Sequence, residues 1–209
     1  MFVITADQID SRTTPDRVGP ARTDLNDRYR DRLALAADRN AGDELQILTA
    51  DAGTALEIVL ELTRTDAWSV GLGVGAVRRP LPDDVREATG DAFFAARLGV
   101  DRAKRKLTRF AIGVLAGSRS AVATSDAEAL VDLLLALRQR RSAAGWELYD
   151  LLRSGLPQSD AATELAISQP AVSSRARAAN LRIEADAEPA LCRLLESLDR
   201  EASTSEEDR

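Results

Sequence analysis

The sequence predicts an α+β chain in two parts: a sheet-and-helix domain of ferredoxin-like order, followed by an all-α domain. Three observations predict it. Short β-rich apolar runs alternate with helix-period segments through the first half in the order β-α-β-β-α-β-α-β. A Gly/Ser-rich stretch at residues 116–124 then leads into sequence of almost pure helical pattern. Within that second part, Gln158 to Asn180 has the spacing of two short helices joined by a tight turn. The expected division is residues 1–118, residues 119–183, and an acidic, largely disordered tail at 184–209.

The elements follow in order. Phe2 to Ala6 is an apolar run ending at Asp7, which fits a buried first strand, and the polar stretch after it is loop. Pro20 to Arg32 reads as a helix with Leu25, Tyr29 and Leu33 on one face. Residues 33–37 and 45–50 read as paired strands, with Asn40 to Gly42 making the turn. Asp51 to Thr65 has an acidic start and the apolar period of a helix covering a sheet. Trp68 to Val77 is a strand with Gly71, Gly73 and Gly75 at alternate positions, which thins one sheet face so that a backbone or a ligand comes close. Asp91 to Lys106 is a helix, and Arg109 to Leu115 is the last strand.

Beyond the linker, Ser125 and Glu128 read as a capping box opening a helix with Leu130, Leu133, Leu134 and Leu137 on one side. That helix is expected to fray into the run from Arg138 to Gly145, and a supporting helix follows from Trp146 to Leu152. In the tail, Pro189 to Leu198 has an amphipathic pattern.

Composition narrows the chemistry. The chain has 209 residues, no histidine and one cysteine, so imidazole chemistry and an intramolecular disulfide are excluded. No apolar run is long enough for a membrane span, and the first ten residues lack a signal-peptide pattern, which points to the cytoplasm and to no membrane partner. The net charge of −6 is unfavourable for a nucleic-acid binder, but residues 183–209 alone carry three basic and nine acidic side chains. Around the paired helices, Arg153, Arg175, Arg177 and Arg182 face only Asp160 and Glu164, a local balance that phosphate contact requires.

The segment QSDAATELAISQPAVSSRARAAN reads as a helix-turn-helix. Its first helix spans about Gln158 to Leu165, Ala166 to Ser168 form the turn, and the second starts at Gln169 with Pro170 in its first turn. Ala161, Ala162, Leu165, Ile167 and Val172 take the inward positions. Ser168 is the N-cap and faces the DNA backbone, Gln169 and Ser173 reach base edges, and Ser174 and Arg177 contact bases or phosphate. The plainer reading is a helical hairpin used for dimerisation. The run from Gly155 to Ser173 also resembles the region-4-type helices of sigma factors and MarR-like DNA readers. One such module is small, so a homodimer is expected, joined through the leucine helix or the sheet domain.

In the first half the chemistry rests on Asp7, at the end of strand one, and Asp43, at the tip of the hairpin. In a ferredoxin-like sheet these strands are neighbours, and two adjacent carboxylates suit Mg²⁺ shared with substrate phosphates. The plainer reading is that both acids cap loops. The stretch Ala41 to Leu45, with the strand from Trp68 and the helix Gly90 to Arg97, resembles the nucleotidyl cyclases of the class III and GGDEF types, with Phe93 where those enzymes carry asparagine. Asp10-Ser11-Arg12, Gly42 to Gln46, Gly71 to Gly75 and Asp91 to Arg97, taken in order with the helix-turn-helix, resemble the SatD family over nearly the whole chain up to Arg182. That resemblance implies a cyclase-type fold for the first domain, metal binding at Asp7 and Asp43, and a nucleotide or other anionic ligand held by Arg12 and Arg97. Arg78 and Arg79 are further candidates for phosphate. The function expected is a DNA-binding transcriptional regulator whose first domain senses that ligand. A Mg-dependent nucleotide-processing enzyme with an accessory helix-turn-helix is the alternative, and a protein-pairing scaffold is the third reading.

Overall fold

The computed structural model describes residues 1–115 and 121–207, and side chains up to residue 202. It is a mixed α and β structure with one five-stranded mixed sheet and eight α-helices among the described residues. The strands are β1 (Phe2–Gln8), β2 (Leu35–Arg39), β3 (Glu44–Thr49), β4 (Trp68–Val74) and β5 (Phe110–Gly113), in the order β2-β3-β1-β4-β5. Every pairing is antiparallel except β4 with β5. The helices of this half are α1 (Val18–Tyr29), α2 (Ala52–Leu62) and α3 (Asp91–Ala103), so the expected order of elements is present. The chain's contacts divide it into two units, Met1–Asp132 with Leu191 onward, and Leu133–Ala190.

In the first unit, pleat alternation separates two sheet faces. Phe2, Ile4 and Ala6 of β1 share a face with Leu45 and Ile47 of β3, Val70 and Leu72 of β4, and Phe110 and Ile112 of β5, all buried. The opposite face carries Val3, Leu48, Gly73 and Gly113 in one row, Thr5, Gln46, Gly71 and Ala111 in the next, and Asp7, Glu44 and Ser69 in the third. α3 lies on this second face, where Ala92, Phe93 and Ala96 pack with Val3 and Leu48. The close approach read from the glycine strand is that of α3's backbone. A Cβ on Gly73 would come within 2.0 Å of the Ala92 carbonyl oxygen, and one on Gly113 within 1.6 Å of that of Ala95.

Boundaries differ where tertiary contacts override local pattern. β2 begins at Leu35, two residues late, and Leu33 falls after α1 has passed through a short 3₁₀ turn at Arg30–Arg32. α2 starts as read, with the Asp51 carboxylate accepting from the Thr54 N–H at 2.6 Å.

α4 (Ala121–Gln139) starts ahead of Ser125, so the capping box does not form. Glu128 is instead buried. It accepts the Ile112 N–H of edge strand β5 at 2.7 Å and pairs with Arg102 and Lys106. The leucines of α4 are not on one side: Leu134 is buried, whereas Leu130 and Leu133 are exposed. The boundary expected at residue 118 lies outside the described residues. The disordered tail is corrected by α8 (Leu181–Glu207), whose Leu191, Leu195 and Leu198 are buried at helical spacing.

The second unit is helical: α5 (Ala143–Arg153), α6 (Gln158–Glu164) and α7 (Gln169–Ala178), with the adjoining parts of α4 and α8. Ser142 caps α5, accepting from the Gly145 N–H at 3.2 Å. The predicted fraying at Arg138 to Gly145 is replaced by a buried ion cluster. Arg138 and Arg141 both bind the Glu184 carboxylate, and their guanidinium groups lie 4.8 and 4.4 Å from the Trp146 ring. Desolvated arginines are held there by one carboxylate and an aromatic face.

Candidate functional site

Two groups of side chains arise from this framework, one in each unit. In the first, the hairpin turn brings Asp43 to the end of β1, because the Gln8 N–H donates to the Asp43 carbonyl oxygen at 3.0 Å. Asp7 and Asp43 therefore share one end of the sheet, as the sequence implied. Neither carboxylate is left open. Lys104, just past α3, places Nζ 2.7 Å from Asp7 Oδ2, and Ser11 donates its hydroxyl to Asp43. That hydrogen bond holds the Asp43 carboxyl below its ordinary range, against the opposing effect of burial, with help from the charges of Lys104 and Arg12. Among the described residues no group of three or more His, Cys, Asp and Glu side chains is placed to hold a metal ion.

Arg97 reaches from α3 to the rim as well, and its partner there is Glu44. Glu44 is buried and also accepts from Asn40 Nδ2 at 2.7 Å. Arg12 is exposed in the loop after β1. Phe93, at the asparagine position of the cyclase-like pattern, packs into the core with Val3 and Leu48. Glu44, which the sequence placed in the hairpin-tip motif without a partner, and Lys104, which it did not pick out, complete the rim, and Thr5 and Gln46 form the next row. Counting by twos from Asp7 and Glu44 would have found Thr5 and Gln46, whereas Lys104 depends on the lie of α3.

In the second unit, α6 and α7 are joined by Leu165 to Ser168. Leu148, Ala161, Ala162 and Val172 form a buried cluster, with Leu165 and Ile167 packed against it. The turn is closed by Ala166 at φ 51°, a left-handed conformation more often given to glycine. Ser168 caps α7, accepting from the Ala171 N–H at 3.3 Å, with Pro170 in the first turn. Gln169, Ser173, Ser174 and Arg177 are all exposed on α7.

The basic side chains near α7 are less open than composition implied. Arg175 Nη1 is 3.2 Å from Glu147 of α5, Arg153 is 3.5 Å from Glu188, and Arg182 is 3.6 Å from Asp186. Arg177 forms no ion pair among the described residues. The Arg175 pairing also explains a charged residue at a position where an apolar one would suit two packed helices.

Comparison of the chain with family models, curated proteins and solved structures gives no match in any of the three.

Proposed function

We propose that the protein is a DNA-binding transcriptional regulator in which α6, the turn and α7 act as a helix-turn-helix. The observation that carries this reading is the sidedness of α7. Val172 is buried with Ala161 and Ala162, Arg175 is engaged by Glu147, and Gln169, Ser173, Ser174 and Arg177 remain together in solvent. A helix that buries one side and offers amide, hydroxyl and unpaired guanidinium groups on the other suits a major groove. Specific affinity from so small a module calls for two copies, and the exposed Leu130 and Leu133 of α4 are apolar side chains suited to joining them.

The first unit serves in this proposal as a sensor of a nucleotide or related anion. The strand order β2-β3-β1-β4-β5 supports reading it as a ferredoxin-like sheet with one strand added, in keeping with the cyclase and SatD resemblance. The ion pairs at the rim favour binding over turnover: a Mg²⁺ on Asp7 and Asp43 would have to displace the Lys104 ammonium. Arg97 and Lys104 are then the groups that meet phosphate, exchanging a protein carboxylate for the ligand.

Electrophoretic mobility shift with DNA from upstream of the gene tests the proposal. Arg177→Ala is expected to weaken binding to all sequences and to reduce the salt slope by about one, as loss of a phosphate contact does. Gln169→Ala is expected to cost roughly 1–3 kcal/mol on the preferred sequence alone. If both variants bind as the parent does at physiological salt, the proposal is wrong.

A further inference from the structure

α4 is apolar on the side it buries and on most of the side it does not. Ala127, Val131, Leu134 and Leu135 are buried. Opposite them Ala129, Leu130, Leu133 and Ala136 face solvent, with Leu137 half-buried beside them, and Leu133 is 68% exposed. α4 is a single helix from Ala121 to Gln139, so its own period fixes these side chains relative to one another. Leu130 and Leu137 run along one edge of the stripe, Ala129 and Ala136 along the other, and Leu133 lies between them. An apolar stripe held in water is a surface that a partner covers. The charged side chains on it are Asp126 and Arg140. Asp126 precedes Leu133 by two turns, and Arg140 follows it by two turns, one residue past the end of the helix. Both are exposed, and neither enters an ion pair among the described residues.

We propose that this stripe joins two copies of the chain, their α4 helices antiparallel about a two-fold axis at Leu133. Such an axis places Leu133 against its own copy, Leu130 beside the partner's Leu137, and Ala129 beside the partner's Ala136, where small side chains let the helices approach. Asp126 meets the partner's Arg140, and the axis repeats that pair at the other end. Charge decides the direction. A parallel pair of helices would set Asp126 against Asp126 and Arg140 against Arg140, whereas the antiparallel pair turns both repulsions into attractions. The inference rests on the dimer expected of the DNA-binding reading and adds to it the face, direction and register. The contact itself needs no DNA.

Sedimentation velocity of the full chain without DNA, over a range of protein concentration, tests it. The parent is expected to dimerise, and Leu133→Asp to stay monomeric where the parent is dimeric, with its helical circular dichroism unchanged. Asp126→Arg brings two arginines together at each end and is expected to weaken dimerisation on the order of ten-fold or more. Adding Arg140→Asp to that variant exchanges the charges and should restore the parent's behaviour. A monomeric parent overturns the inference, as does a dimer that Leu133→Asp leaves intact. A Leu133→Asp chain that loses its helical signal would make Leu133 a structural residue and overturn it too. So does a double variant as weak as Asp126→Arg, since that rescue belongs to the antiparallel register alone. The DNA-binding reading is judged separately, by mobility shift on the same proteins. A monomeric parent that shifts DNA overturns the dimer and leaves that reading standing, and a dimer with this pattern that shifts none removes that reading and supports the contact.

Discussion

Arg97 and Arg141 are both arginines paired with a glutamate, and they occupy opposite circumstances. The Arg97 side chain is more than half exposed above a buried Glu44, whereas Arg141 and its partner Glu184 are both sealed from solvent. At the first pair the guanidinium can return to water, and the buried Glu44 carboxylate left behind keeps its hydrogen bond from Asn40. At the second, two guanidinium groups depend on one carboxylate, and Arg141 Nη1 already lacks a hydrogen-bond partner. The same chemistry is therefore reversible at the rim of the sheet and architectural among the helices. Exposure of the cation, more than the presence of an ion pair, separates a group that can exchange partners from one that holds helices together.

The comparison breaks most readily at Glu184. Glu184→Ala leaves Arg138 and Arg141 buried without their shared carboxylate and should destabilise the second unit by about 3–5 kcal/mol. Chemical denaturation followed through Trp146, which stacks on both arginines, measures it; a loss near that at Arg97 would dissolve the distinction. Arg97→Ala should cost less, roughly 1–3 kcal/mol when followed through Trp68 of β4, since the buried Glu44 carboxylate keeps its Asn40 hydrogen bond. The smallest effect is expected at Ser11. Ser11→Ala removes the hydrogen bond that most lowers the Asp43 carboxyl, so that group should titrate closer to its ordinary 3.8 in a carboxyl NMR titration. The sign follows from the direction: a depressed carboxyl stabilises the fold above its unfolded value and loses that contribution as pH falls through the folded one. Parent and Ser11→Ala should thus differ in stability near neutral pH and converge in acid. Unchanged Asp43 titration would show that Ser11 does not control it.

Sequence pattern made the strands and the pair α6 and α7 legible because each depends on local periodicity and on residues with one conformational use. Ser168 before Gln169-Pro170 marks a helix start, and alternating glycines at 71 and 73 mark a strand face with no side chains to pack. The helix start at Ala121 was hidden because Ser125 and Glu128 imitate a cap. What decides there is the unsatisfied Ile112 N–H of β5, distant in sequence, which draws Glu128 inward. The basic run ending at Arg141 looks solvated for the same reason. Only the return of Glu184 on α8 gives those charges a partner, and an acidic tail read by composition conceals it. Asp7 and Asp43 were found as a pair, yet Lys104 could not be assigned to them without knowing how α3 crosses the sheet.

The glycines under α3 carry a mechanical consequence. Main-chain atoms of the helix rest on main-chain atoms of β4 and β5, so the helix cannot sink further, while Ala92, Phe93 and Ala96 seat it against Val3 and Leu48. Substitutions at Arg97 or Lys104 would change the charge at the rim, while the height at which α3 presents that rim stays set by the bare backbone beneath.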